Sequence, residues 1–279
     1  MTQIYSHSRL STFEDCPKRF QYRYVLKIPT DSEGIEAYVG KRVHEVLERL
    51  YIAAQKGLVP SLARVIFRYN QLFDEHYDAQ KIRIVREGTP VDFYRSYGER
   101  CLRDFYHRHY PFDGDKTMGL EHRVLFALDE PGEYRLQGII DRLVRGRDGT
   151  IEIHDYKTGR RLPSQEELDR DRQLALYQLG LVGRFPNQPI RLVWHFLHHD
   201  RLLTSTRTPE QLETLRVETM GVIDRIRTES EFKPRRSGLC DWCEYNDRCP
   251  IYSRRKGKGR ETAASSPPAP PPMGQLTLF

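Results

Sequence analysis

Hydrophobic and polar positions recur along this chain with two different periods, and the change from one to the other divides it. Between residues 8 and 25, Phe13, Phe20 and Tyr24 recur at helical spacing, with Ser8 or Ser11 as an N-cap. Cys16-Pro17 interrupts that run, so two short helices meeting at the cysteine are expected. Residues 35–56 carry a stronger stripe of Val39, Val43, Val46, Leu47 and Leu50. Two further helical stretches cover 61–79 and 91–110, separated by Gly88-Thr-Pro90, and their charged positions read as solvated faces. Strands then take over. Residues 120–128 form one, Asp129–Gly132 turns the chain, and the segments around Leu136–Asp141 and Ile153–Lys157 form a hairpin. Beyond Gly159 come a helix at about 166–182, strands at about 190–197 and 201–206, and a helix from Pro209 to about Glu229. This order predicts an α/β fold with a mixed central sheet flanked by helices, and a helical insertion at about 35–110 ahead of the sheet.

The hairpin carries the chemistry. Its turn is Gly146-Arg147-Asp148-Gly149-Thr150, and a three-residue loop, Arg147–Gly149, puts a glycine where φ > 0 is needed. Gly146 then faces Thr150, and counting outward sets Asp141 opposite Asp155; a two-residue loop would shift the pairing by one. Lys157 lies two residues beyond Asp155 and shares its face. Paired carboxylates hold a hard divalent cation such as Mg²⁺ or Mn²⁺. Such a cation polarises a phosphoryl oxygen and lowers the pKa of a bound water, and a lysine beside it orients that water or stabilises phosphate charge. An exposed salt bridge across the hairpin is the plain alternative. His44 sits beside the apolar face of its helix, with Gly40 four residues earlier leaving room for close approach; a hydrogen-bonded core histidine is the simpler reading there. Glu121 reaches toward the same region or remains a surface carboxylate. Gln173 and Tyr177, four apart, share one helical face.

The formal net charge of +6 changes the picture little, because Arg254, Arg255, Lys256, Lys258 and Arg260 supply five of the positive charges. It permits nucleic-acid contact without making the core a basic surface. There is no run of eighteen apolar residues and no secretory pattern at the N-terminus, so a cytoplasmic protein without a membrane span is expected. Of the five cysteines, Cys240, Cys243 and Cys249 are spaced Cys-x2-Cys-x5-Cys. Cys16 repeats the Cys-Pro context of Cys249-Pro250 and is the best fourth ligand. Four thiolates suit zinc or a [4Fe–4S] cluster, and spacing alone leaves both open. Cys101 reads as a small buried apolar residue on a helix. Residues 253–274 form a basic, then proline-rich spacer that ends in Gln275-Leu-Thr-Leu-Phe279, bait for a partner's groove or simply an apolar terminus. No Walker A motif is present, so any unwinding of DNA would need a partner.

Taken together, His44, Asp141, Asp155-x-Lys157, Gln173-x3-Tyr177 and four cysteines split between the chain's two ends resemble the RecB-family branch of the PD-(D/E)XK nucleases. The form resembled is the iron–sulfur one of AddB-type nuclease domains and CRISPR-adaptation exonucleases, over about residues 5–252. Ile140 stands where the name-giving proline would be, a position that carries no chemistry. The resemblance implies a nuclease domain over 1–252, with His44, Asp141, Asp155 and the Tyr156 carbonyl on the metal, Lys157 as catalytic lysine, and Gln173 and Tyr177 placing the DNA strand. Glu121 matches an accessory acidic position. Cys16, Cys240, Cys243 and Cys249 match the [4Fe–4S] ligands, a structural staple joining the chain ends. The activity implied is a metal-dependent exonuclease on single-stranded or end-frayed DNA in repair, recombination or replication, with a helicase as a partner. A CRISPR-adaptation nuclease is one alternative, and a non-catalytic, cluster-bearing DNA-binding adaptor recruited by the clamp is another. The tail resembles the bacterial sliding-clamp-binding pentapeptide: Gln275, Leu276, Leu278 and Phe279 would contact the clamp, Gln275 by hydrogen bonding, Leu278 and Phe279 in an apolar pocket. Residues 261–274, extended at ~3.1 Å per residue, would reach about 40 Å.

Overall fold

In the computed structural model, residues 3–30 and 32–252 are described; the spacer and the tail from Gln275 to Phe279 lie outside them. The chain begins with β1 (Ile4–Tyr5), α1 (His7–Asp15) and α2 (Pro17–Phe20), the two helices meeting at Cys16. Ser6 caps α1 by accepting from the Arg9 N–H, and Pro17 starts α2 where its missing N–H costs nothing. Two-residue β2 (Glu33–Gly34) then leads into α3 (Ile35–Ala54) and α4 (Leu62–His76), and β3 (Ile82–Arg83), which pairs with β2, leads into α5 (Val91–His109). The sheet follows with β4 (Lys116–Ala127), β5 (Arg135–Arg145) and β6 (Ile151–Lys157). After α6 (Gln165–Asp169) and α7 (Gln173–Leu181), β7 (Ile190–Phe196) and β8 (Arg201–Ser205) complete it, and α8 (Pro209–Thr228) closes the order.

The strands run β4-β5-β6-β7-β8, with β1 beside the start of β5. β6 and β7 are parallel, while β4/β5, β5/β6 and β7/β8 are antiparallel, so the sheet is mixed. One face packs Leu136, Ile140, Ile151, Ile153, Leu192 and Trp194 against residues of α1, α7 and α8. Residues of α3, α4 and α5 share a second core with Tyr156 and Leu197. The stretch expected as a helical insertion is therefore the layer that covers this other face. Cys101 is fully buried in that layer on α5, and burial pushes its thiol up to about 12.

The helix expected at 166–182 is two helices. Arg207 Nη2 donates to the carbonyls of Leu168 and Asp171, and the Gln173 N–H donates to Asp171 Oδ1. These bonds satisfy backbone groups at the break and let α7 start afresh at Gln173.

The hairpin has the expected register. The Gly146 N–H donates to the Thr150 carbonyl at 2.9 Å, and Gly149 takes φ +83°. Pairing runs from Arg145 with Ile151 to Arg142 with His154, so Asp141 and Asp155 are next in line. There the ladder stops, and the Tyr156 N–H donates instead to Asp141 Oδ2 at 2.7 Å. The pleat also slips at this point. Leu136, Ile140 and Leu143 all belong to the α7-side core, so two residues, Asp141 and Arg142, separate inward positions where a regular strand has one. Arg142 lies across the sheet, its guanidinium 4.0 Å from the centre of the Tyr51 ring on α3. On β4, Glu121 falls level with Asp141, between the Leu120–Arg142 and His122–Ile140 pairs, and takes φ +44°. A left-handed glutamate is strained by about 1 kcal/mol or more, and such strain persists where surrounding structure holds it.

Candidate active site

Three neighbouring strands thus set Glu121, Asp141 and Asp155 in one row across the sheet. His44 reaches the row from α3. Its Nε2 lies 2.8 Å from the Tyr156 carbonyl and its Nδ1 3.5 Å from Asp141 Oδ1. The close approach of α3 depends on Gly40, one turn before His44, where a Cβ would meet Thr158 Oγ1 at 3.1 Å.

Asp155 is 5 % exposed and faces α7 rather than α3. Gln173 Nε2 donates to its Oδ1 at 2.9 Å, and Gln173 Oε1 accepts from Lys157 Nζ at 2.7 Å. One amide therefore clamps the carboxylate and the ammonium together, and Lys157 Nζ stands 2.8 Å from Asp155 Oδ2. Tyr177, one turn on, packs its ring against Gly138; a Cβ there would come within 2.2 Å of Tyr177 Cε1.

The electrostatics follow from crowding acids under a lysine and a histidine. Burial raises Asp155 to about 6; Lys157 opposes that rise and Asp141 adds to it. Burial works against the His44 imidazolium, but the hydrogen bond and charge of Asp141, then Asp155, outweigh it and lift His44 to about 9. Burial likewise works against the Lys157 ammonium, yet Asp155 beside it holds the group above the ordinary lysine value. Lys157 is thus a cation at neutral pH and a hydrogen-bond donor. Burial raises Glu121, with Asp141 contributing.

The donor set fits a divalent cation. Ligand atoms of His44, Glu121 and Asp141 lie within 4.8 Å of one another, the Tyr156 carbonyl adjoins His44, and buried Asp155 Oδ2 accepts no hydrogen bond of good geometry. Carboxylate and carbonyl oxygens with one imidazole suit Mg²⁺ or Mn²⁺. Glu121, expected only as an accessory, shares that group with His44 and Asp141, whereas Asp155, turned toward Gln173 and Lys157, falls outside it.

Two nearby residues escape a reading of the sequence. Asp171 fixes the start of α7 and adds its charge at Lys157; an aspartate just before a helix is the signal that could have found it. His7 on α1 lies within the field of Lys157 and Arg172, and burial keeps it neutral by lowering it to about 4. No local pattern marks it.

Cys16, Cys240, Cys243 and Cys249 lie elsewhere, where the N-terminal helices meet residues 235–249. Arg19 holds Glu244 through two Nε contacts of 2.9 and 3.1 Å, Tyr22 Oη donates to the Arg248 carbonyl, and the Tyr22 and Tyr245 rings are 5.5 Å apart. Cys16 Sγ accepts from the Arg235 N–H at 3.5 Å, and Cys240 Sγ from the Ser237 N–H at 3.4 Å. Cys16 and Cys249 both lie near Tyr22, and Cys16 lies near Cys243.

Comparison with known proteins bears on the whole described chain. The sequence pattern of the PD-(D/E)XK nuclease superfamily matches residues 4–250. No curated protein matches. A candidate exonuclease from Eubacterium rectale, known from its crystal structure, shares 13 % identity at a TM-score of 0.50, covering 88 % of each chain. The protein SSO0001 shares 14 % identity at a TM-score of 0.38, covering 87 % of this chain and 85 % of its own. At 13 % identity the likeness to the Eubacterium rectale protein is one of fold. Among the described residues no helix is long and apolar enough to cross a membrane.

Proposed function

Since the chain belongs to the PD-(D/E)XK nuclease superfamily, we propose that it is a metal-dependent DNA exonuclease acting on single-stranded or end-frayed DNA in repair, recombination or replication. The observation that carries this reading is the row Glu121–Asp141–Asp155 with Lys157 clamped to its end by Gln173. His44, Glu121, Asp141, Asp155 and the Tyr156 carbonyl would hold the cation. When bound, it polarises the scissile phosphoryl oxygen and lowers the pKa of the attacking water. Lys157 then donates to a phosphate oxygen or to that water. Gln173 fixes where its ammonium stands, and Tyr177 supports the helix that carries Gln173. Preorganised charge of this kind stabilises the transition state because no reorganisation is needed as charge develops.

Cys16, Cys240, Cys243 and Cys249 are the ligands of a [4Fe–4S] cluster in this reading. Cys16 from the N-terminal helices lies beside residues 235–249, which carry the other three, and the match to the AddB-type ligand pattern favours iron–sulfur over zinc. Backbone N–H groups already point at two of the sulfurs, as they do around iron–sulfur clusters. Residues 1–252 form the nuclease unit, 253–274 the tether, and Gln275–Phe279 the contact with a bacterial sliding clamp, which would raise the local concentration of nuclease on DNA. A separate helicase would supply any unwinding.

The test is cleavage of end-labelled single-stranded and duplex DNA in Mg²⁺ or Mn²⁺ by anaerobically purified wild type beside Asp141→Ala and Lys157→Ala. Degradation from an end by wild type, lost in both variants, is expected. DNA binding without cleavage by the wild type would turn the reading toward an adaptor.

A further inference from the structure

A cavity of about 140 Å³ opens directly beyond the catalytic strand, between Thr158–Arg160, the start of α3 and α5. Its walls are Tyr94 and Tyr97, with Val39 beneath and Glu36, Arg86 and Arg160 around it. Thr158 is the residue after Lys157. Val39 and Glu36 lie five and eight residues before His44 on α3, about 7 and 12 Å along the axis at ~1.5 Å per residue. The cavity is thus placed to meet nucleotides next to the one at the metal row.

We propose that this cavity takes the base of one unpaired nucleotide of the bound strand and prefers a single-ring pyrimidine. The inference rests on the nuclease reading for the identity of the ligand. Size sets the preference, since a cavity of about 150 Å³ accommodates a benzene-sized ring. The walls set the chemistry. Tyr97 is fixed by its hydroxyl donating to the Thr158 carbonyl, which gives a rigid ring face for stacking. Arg160 lies 5.1 Å from the centre of the Phe93 ring and 5.5 Å from that of Tyr97, so its guanidinium is pre-positioned beside the cavity for a phosphate. Phe93 remains 43 % exposed, an aromatic surface that a second base can cover. Tyr94 is 4 % exposed, and its hydroxyl makes no hydrogen bond; Thr89 lies near it without hydrogen-bonding geometry. Glu36 adds an acceptor for an exocyclic amine.

Gly159 supplies a clean perturbation, because a Cβ there meets no atom within 4 Å. Gly159→Leu adds bulk at the cavity's lining with no clash at Cβ, and Arg160→Ala removes the cation. The measurement is fluorescence anisotropy with labelled oligo(dC), oligo(dT), oligo(dA) and an abasic oligomer of equal length, in EDTA so that no cleavage intervenes. Wild type should bind the two pyrimidine oligomers about tenfold more tightly than the other two. Gly159→Leu should bring all four together, and Arg160→Ala should weaken all of them while the order is kept. Equal binding of the four by wild type, or a pyrimidine preference that survives Gly159→Leu, overturns the proposal. Cleavage in Mg²⁺ is scored separately. Preference without cleavage would remove the nuclease reading and keep the pocket, and cleavage with no preference would do the reverse.

Discussion

Replacing Asp155 by asparagine should destroy the enzyme and strengthen the metal-free fold. Asp155 is almost wholly buried, and its carboxyl is raised from 3.8 to about 6 by that burial despite the neighbouring Lys157. Each pH unit corresponds to about 1.4 kcal/mol, so the ionised carboxylate costs the metal-free fold about 3 kcal/mol. The sign follows from the direction of the shift. A folded-state value raised above the unfolded one gives stability that is fully present below pH 3.8 and is lost as the pH rises through about 6. Asparagine does not ionise and is flat across that window. It also removes the carboxylate from Lys157, whose side chain is 36 % exposed and partly solvated, so the net gain falls to about 1–3 kcal/mol. Urea unfolding in EDTA at intervals from pH 4.5 to 8 reads this directly. The variant's advantage should be smallest at the acid end, grow up to about pH 6 and level off above it. Mg²⁺ should reverse the order, since a ligand that binds only the folded state stabilises it by mass action. A variant less stable than wild type throughout in EDTA, or equal Mg²⁺ stabilisation of both proteins, would refute the reasoning.

Other outcomes follow from the same geometry. Glu121→Gln should weaken Mg²⁺ binding about tenfold or more by calorimetry; unchanged affinity would remove Glu121 from the cation's surroundings. Because His44 holds its proton up to about 9, apparent Mg²⁺ affinity should rise with pH between 6 and 9. His44→Ala should flatten that rise, and an equally steep profile in the variant would exclude His44 as a ligand. Gly138→Ala drives a methyl into the Tyr177 ring and should cost about 1–3 kcal/mol in urea unfolding, with a larger loss of activity than Ile139→Ala on the exposed side of the same strand. Anaerobically purified protein should be brown, with iron and acid-labile sulfide in equal amounts, and Cys16→Ser should lose both; colourless wild type with bound zinc would displace the iron–sulfur reading.

The hairpin shows how far the sequence alone reaches. Gly149 in its turn and the alternation of Ile151, Ile153 and Asp155 set a register that the structure keeps, because strand pairing follows from turn length and side-chain period, both local quantities. Asp141, Asp155 and Lys157 were legible for that reason, and the order of strands and helices for the same one. Gln173 was legible as half of a motif, but its amide bridging Asp155 and Lys157 was not, since that depends on a break at Arg170–Arg172 sealed by Arg207 from a distant segment. The slip of the pleat at Asp141 and the left-handed Glu121 beside it were equally hidden. Each strand alone would favour regular alternation, and only the joint packing of α3 on one face and α7 on the other makes the irregular one cheaper. The cavity beside Thr158 has no signature in the chain at all: its walls come from α3, α5 and the exit of β6, segments up to 124 positions apart from Glu36 to Arg160. Local propensity and periodicity thus determined the elements and the acids they carry, while contacts between residues far apart in sequence decided which way those acids face.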